Sequence, residues 1–450
     1  MTSADLLKTL SSSWADAALA PVYGNEAGAA RERYAALAHG LSGFDREAFR
    51  EACVRVFTAA GRTELGGNHT DHNRGKVIAA SIQLDAAAVV APRTDKKVFF
   101  RSVGFPDVSV DLSDLSARPE EEGTTESLVR GIAAEFEKRG VHVSGWSANA
   151  DSAVLPGSGL SSSAAVEVLF GKIFDCLYGG GSRSALEIAQ IGQIAENTYF
   201  GKPSGLMDQA ACASGGAVAI DFYDAEHPLV ERVNFDPSSC DYVPVIVNTC
   251  GSHVDLTPDY AAVPIEMRAV AGVFGKNALA ETTLEDILGN APKIRATCGD
   301  RALLRAIHFH NENKRVDMMR ALMQKIEDAP DNRTKRAFFR EYLAVVNDSG
   351  HSSWELLQNM YSPASVNAQG LSAALALTRE FLKSDGVEGP VSGADSGACR
   401  IHGGGFAGTI QSYIPTKRIA AYRDVMDRVF GLGAVTVLRI RPVGVMEVVF

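Results

Sequence analysis

Two charged side chains and a row of serines carry the most chemistry in this sequence. Asp208 lies in Gly201–Gln209, GKPSGLMDQ, where Pro203 and Gly205 shape a turn and the carboxylate falls at or near a helix start. There it could be a first-turn acid favourable to the helix dipole, or a general base, which needs a carboxylate within reach of the proton it removes. Glu196, on the preceding helical pattern, is either a solvated glutamate or a hard oxygen donor of the kind Mg2+ takes. Arg62, in Gly61–Gly75, GRTELGGNHTDHNRG, could pair with a carboxylate or stabilise phosphoryl charge. Asn68, His69 and Asp71 follow it closely. They suit a polyhydroxylated ligand, because a site that hydrogen-bonds hydroxyls rejects analogues lacking them. A long surface turn would carry the same residues. His69 and His72 are spaced i, i+3, with no Cys or third His nearby to complete a metal site.

The serines stand in Leu155–Ala165, LPGSGLSSSAA. Gly157 and Gly159 allow a tight turn and close approach to a ligand. Ser161, Ser162 and Ser163 then meet the start of a helix whose apolar residues, Val166, Leu169, Phe170, Ile173, Phe174 and Leu177, share one face. The unpaired N–H groups and positive dipole end of such a start suit a phosphate. A serine-capped helix after a glycine turn is the structural alternative. In Gly397–Gly408, GACRIHGGGFAG, the run Gly403–Gly405 is costly to order unless the backbone must bend or approach something. His308 and His310 read as helix surface, and Trp14, Trp146 and Trp354 as core or packing. No GxxxxGK[ST] or GxSxG motif occurs.

These stretches need elements to hold them. Residues 1–52 read as amphipathic helices. From Val56 to about Asp111 the pattern is strands and turns, with apolar runs at Val77–Leu84 and Ala86–Val90. Helices follow at Ser127–Arg139, after the serine loop, and at Ala185–Tyr199. Strands are expected at Val218–Phe222 and Tyr242–Val247, mostly helix over 262–345, a glycine-rich strand-like run at Val391–Ser412, a helix at Ile419–Val429 and a closing strand at Val435–Arg441. The polar turn Tyr223–Pro228 suggests a division into domains 1–225 and 226–450. This order points to α+β domains rather than one parallel doubly wound sheet.

The chain has 450 residues, 46% hydrophobic and 22% charged, as a soluble protein with a large core would. Its net charge of −10 argues against nucleic acid or an anionic membrane surface as partner. Seven scattered cysteines without a CxxC pair fit a reducing cytoplasm better than a disulfide framework or structural zinc. No run approaches membrane-spanning length.

Taken together and in order, the four stretches resemble the galactokinase family of the GHMP small-molecule kinase superfamily. GRTELGGNHTDHNRG resembles its sugar-binding signature, PGSGLSSSAA its phosphate loop, GKPSGLMDQ the segment holding its catalytic Asp, and GACRIHGGGFAG its third, glycine-rich motif. Asn347–His351, NDSGH, resembles a further segment near the nucleotide. The resemblance implies a two-domain GHMP kinase fold with the active site in the cleft between domains, and ATP-dependent phosphorylation of the anomeric hydroxyl of galactose. It implies that Asp208 takes the hydroxyl proton and that Arg62 stabilises charge beside it. It further implies that Ser163 and Glu196 coordinate Mg2+, and that Asn68, His69, Asp71, Gly205 and Tyr260 contact the sugar. ATP would meet Pro156, Gly157, Ser158, Gly159, Leu160, Ser161, Ser162, Ser163 and Ala164, with Gly404 and Gly405. A cytoplasmic monomer with small-molecule partners is expected.

The family usually carries Glu where Asn68 stands and Tyr where His72 stands. It also carries paired arginines soon after Tyr260, where this chain has Ala261-Ala262-Val263-Pro264. These departures leave open a 1-kinase for another hexose or a substituted galactose. A non-catalytic sugar- and ATP-binding sensor is a further alternative, though the phosphate loop is full length. A non-sugar alcohol such as mevalonate or homoserine would leave the HTDHN groups unpaired.

Overall fold

The computed structural model describes residues 1–154, 159–202, 204–251, 256–383 and 397–450. Leu155 and the ATP contacts expected at Pro156, Gly157 and Ser158 lie outside the described residues, as do the turn residue Pro203 and the first part of the Val391–Ser412 run.

Four helices open the chain: α1 (Ser3–Leu10), α2 (Trp14–Tyr23), α3 (Ala27–Phe44) and α4 (Arg46–Glu51). Thr2 and Asp45 cap α1 and α4 by accepting first-turn N–H groups. Next come β1 (Arg55–Gly66), β2 (Lys76–Pro92), β3 (Lys97–Ser102), β4 (Val108–Asp111), α5 (Thr125–Lys138) and β5 (Trp146–Ser152). Helices α6 (Ser162–Tyr178), α7 (Ala185–Ala195) and α8 (Met207–Ser214) precede β6 (Ala217–Asp221) and β7 (Leu229–Val233). The C-terminal β12 (Met446–Val448) joins these strands in one sheet of order β12-β1-β2-β5-β3-β4, with β6 on a second stretch of β2 and β7 beside β6. All pairs are antiparallel except β3–β5.

β2 is a single 17-residue strand where two runs were expected, and both its faces are covered. Val77, Ala79, Ala86, Ala88 and Val90 pack with Phe57, Val168 and Phe170. Ala87, Val89 and Ala91 pack on Leu6, Leu10, Tyr34 and Leu37 of the N-terminal helices. The inward parity changes from odd to even because the register slips between the pairs Arg62↔Ser81 and Ala60↔Asp85. Asp85, the residue that seems to divide the run, is buried. It is held by Arg33 at 2.6 Å, Arg441 at 3.2 Å and the Tyr23 hydroxyl at 2.6 Å.

A second, antiparallel sheet has the order β11-β8-β10-β9, from β8 (Tyr242–Asn248), β9 (Ala398–His402), β10 (Thr409–Pro415) and β11 (Val435–Val437). Helices α14 (Gly370–Lys383) and α15 (Ile419–Phe430) bury Leu371, Leu375, Tyr422 and Met426 against its Val245, Ile401 and Ile410. Between β8 and α14 lie α9 (Thr257–Val273), α10 (Leu284–Gly289), α11 (Ala291–Cys298), α12 (Asp300–Glu327) and α13 (Asn332–Ser352). Val316, Met319 and Met323 of α12 pack on Leu65 and Ile78 of the first sheet.

The division drawn at residue 225 does not follow a sheet boundary. Tyr223–Pro228 is the turn of the β6–β7 hairpin, and polar, proline-containing hairpin turns look like linkers in sequence. The expected closing strand is also different. Only Val435–Val437 is strand; Ile440 bridges to Ile82, and the chain returns to pair β12 with β1. A three-residue strand is too short to show a period. All seven cysteines are free, and no helix among the described residues is long and apolar enough to cross a membrane.

Candidate active site

The first six residues of the Gly61–Gly75 stretch are strand, not surface turn: β1 runs through Gly66 and is buried there. This places Arg62 in the interior, beside the end of the serine loop. Gly61 permits the approach, since a Cβ there would lie 2.9 Å from Val154 Cγ2 and 3.1 Å from the Leu160 carbonyl. Arg62 donates through Nε to Asp208 Oδ1 at 2.7 Å and through Nη2 to Oδ2 at 3.0 Å, a two-pronged pair. Its third nitrogen, Nη1, reaches the Gly159 carbonyl, and its backbone N–H donates to Leu160 O at 3.1 Å.

Asp208 occupies the first turn of α8 and keeps 34% of its side chain open. Burial pushes its pKa up, but the charge and hydrogen bonds of Arg62 outweigh this and hold the carboxyl below the usual range. Ser161 also donates its hydroxyl to Asp208 Oδ2. Ser161 is therefore not a side-chain cap of α6, and its backbone is left-handed, with φ +60°. The first-turn N–H groups of α6, which a capping serine would have claimed, remain for another acceptor.

The second cluster joins the sugar-signature turn to the glycine loop between β9 and β10. Asn68 donates to Gly403 O at 2.7 Å, His69 Nε2 bonds Gly404 O at 2.8 Å, and the Tyr260 hydroxyl donates to Gly405 O at 2.8 Å. Gly404 has no room for a side chain, because the Tyr260 ring lies against its Cα. Burial lowers the His69 pKa to about 4, the Gly404 bond opposing, and raises that of Tyr260 to about 12. The Asp71 carboxylate lies directly against Gly205, in the segment that leads to Asp208.

Ser163 sits in the first turn of α6 and Glu196 at the end of α7. Glu196 is buried rather than solvated. Its carboxylate receives Lys202 Nζ at 2.8 Å and Gln209 Nε2 at 2.8 Å, and Gln209 also donates to Glu167 at 2.8 Å. Burial and the charge of Glu196 raise the Glu167 pKa well above normal. The Glu196 carboxylate is thus engaged by an ammonium and an amide, and no cluster of three or more His, Cys, Asp or Glu that could hold a metal occurs among the described residues.

Several residues at the site escape the sequence reading. His308 is buried, not helix surface: it bonds Asn68 O at 2.9 Å and Ser352 Oγ at 2.8 Å, and burial lowers its pKa. Glu312, one turn further along α12, accepts the Gly67 and Asn68 N–H groups at 3.1 and 3.4 Å and pairs with Arg315. His402 accepts from the Glu64 N–H at 3.2 Å through Nε2, and burial and two arginines lower its pKa well below normal. In NDSGH, Asn347 and Gly350 pack on β9, while Asp348 and Ser349 reach Arg315 and Glu312. The signal available for His308 and Glu312 was their i, i+4 spacing, which places them on one face of a helix. Trp14 and Trp354 are partly exposed, and only Trp146 is core.

The family model for the GHMP kinases N terminal domain matches residues 127–216, and that for the galactokinase galactose-binding signature matches 44–92. The galactokinase of Lactococcus lactis subsp. lactis is 27% identical over 384 residues, 84% of this chain and 87% of its own. That of Glaesserella parasuis is 27% identical over 380 residues, 84% of this chain and 90% of its own. The crystal structure of Lactococcus lactis galactokinase complexed with galactose shares the fold, with a TM-score of 0.71 at 24% identity over 91% of this chain and 99% of that one. A mevalonate kinase shares it more loosely, at 0.56 and 12% identity over 86% and 99%. In its two matched signatures and its fold this chain is similar to the galactokinases of the GHMP kinase family.

Proposed function

We propose that this protein transfers the terminal phosphoryl group of ATP to the anomeric hydroxyl of galactose, giving galactose 1-phosphate and ADP. The observation that carries this reading is the chain of contacts Arg62–Asp208–Ser161. It ties an ionised carboxylate to the start of α6, the natural seat of a phosphate. Asp208 removes the proton of the anomeric hydroxyl, whose oxygen forms the new bond to phosphorus as ADP leaves. Arg62 keeps Asp208 ionised and adds positive charge where phosphoryl charge spreads.

On the donor side we place Gly159–Ala164 with Gly404 and Gly405. On the acceptor side we place His69, Asp71, Gly205 and Tyr260, with Asn68 in the wall behind them. Ser163 and Glu196 are the residues that would hold Mg2+, which neutralises phosphate charge when bound. We place the reaction between the two halves, where it would proceed mainly by positioning and electrostatic stabilisation.

The test is a screen of hexoses with ATP and Mg2+ that follows ADP release. Galactose-dependent release is expected. Turnover of another hexose with galactose inert would refute the sugar, and no turnover with any hexose would refute the kinase.

A further inference from the structure

The side chain of Asn68 is buried and all its hydrogen-bonding capacity is used inside the protein. Its amide nitrogen donates to Gly403 O at 2.7 Å and to Glu64 Oε1 at 3.3 Å. Its amide oxygen accepts from Asn359 Nδ2 at 3.0 Å and from Ser353 Oγ at 3.3 Å. Even its backbone is taken, the N–H by Glu312 and the carbonyl by His308. A sugar hydroxyl could bond this amide only by displacing one of these partners, and the group left behind would be buried and unpaired.

The same partners converge on one target. The carbonyls of Gly403, Gly404 and Gly405 are held by Asn68, by His69 together with Asn359, and by Tyr260. The strands that carry this loop also border the serine loop: a Cβ at Gly159 would lie 2.7 Å from Thr409 Oγ1 and 3.2 Å from His402 Nδ1.

We infer that Asn68 is a positioning residue for the nucleotide-side glycine loop and not a sugar contact, and that Asn68, His69, Asn359 and Tyr260 form one clamp that couples acceptor side to donor side. The inference rests on the reading of Gly404 and Gly405 as nucleotide contacts. It assigns a new role to a position where relatives carry a sugar-binding Glu, and leaves recognition of the acceptor to Asp71 and its neighbours.

The test uses the full chain and measures ATP–Mg2+ binding by calorimetry beside the KM for galactose. Asn68→Ala and Asn359→Ala, which removes a clamp residue away from the acceptor, are each expected to weaken ATP binding about tenfold, the loss of roughly one buried hydrogen bond with its partner left unpaired. The galactose KM should stay within about twofold, since no ground-state sugar contact is removed. Tyr260→Phe, which deletes only the phenol oxygen, should weaken ATP binding in the same sense. A raised galactose KM with unchanged ATP affinity in Asn68→Ala would overturn the inference, as would unchanged ATP affinity in both Asn359→Ala and Tyr260→Phe. If Asn68→Ala does not fold, those two variants decide. Failure of the unmodified protein to bind ATP is a different result and would sink the kinase reading itself.

Discussion

At the scale of single residues, the proposed chemistry rests on a carboxylate kept ionised by a buried arginine. Replacing Asp208 by Asn removes the proton acceptor but keeps the volume and a partner for Ser161. The expected loss in kcat is about 10³-fold, within the range for a positioned general base. Sugar binding by calorimetry should survive; strong residual turnover would remove Asp208 from the role. The direction of the Asp208 shift also sets a pH dependence. A base must be deprotonated, and this one has a lowered pKa. Its contribution to kcat/KM should therefore hold as pH falls and be lost only below the usual carboxylate range. Glu196→Gln should weaken Mn2+ binding, followed by electron paramagnetic resonance, by about tenfold or more, since even outer partners of a metal ligand carry that much affinity. Undiminished Mn2+ binding would exclude Glu196 as a ligand.

At the scale of elements, the first sheet works as a plate clamped between the N-terminal helices and α6. The clamp has a charged pin: Asp85 on β2 meets Arg33 from α3 and Arg441 from the returning C-terminal segment. Burial pushes the Asp85 pKa up, yet the two arginines hold it below normal. Asp85→Asn would leave two guanidinium groups facing a neutral amide. Breaking a buried ion pair from one side costs about 3–5 kcal/mol, so denaturant unfolding should show a loss of that size. A loss below about 1 kcal/mol, the scale of an exposed pair, would show the pin to be dispensable. This pin explains why an acidic residue interrupts an otherwise apolar strand. In sequence Asp85 looks like a strand end, because its two partners lie 52 and 356 residues away.

At the scale of the whole molecule, stability should depend on the histidines that folding takes out of water. Burial lowers the pKa of His69 and His310 to about 4, and lowers His308 and His402 as well. Unfolded, each binds a proton near its ordinary pKa of about 6.5. Between that value and pH 4 the unfolded chain holds more protons, so stability is full above the upper limit and falls as pH drops through the window. Glu167, with its raised pKa, works in the opposite direction and offsets part of the loss. The urea midpoint should still fall between pH 7 and pH 5, since four histidines oppose one carboxyl. A midpoint that rises over this range would contradict the protonation states assigned here.

Local order was legible in the sequence wherever physics acts along the chain. The glycines and serines before α6, and the apolar face of that helix, each act within a few residues of themselves. The four stretches therefore pointed to the reaction class, and to Arg62 and Asp208 as the groups proposed to carry it. Contacts distant in sequence were decided only by the tertiary structure. Asp208 meets Arg62 across 146 residues and Ser161 across 47. The carbonyls of the glycine loop meet Asn68 and His69 across 335. Nothing in a sequence period reports which buried polar group will satisfy another. That pairing is set by desolvation, which makes an unmatched donor or acceptor costly only once packing has removed the water. For that reason the sequence could mark Asn68 as a departure from its relatives. Only the folded protein turned its amide inward, onto the loop it holds.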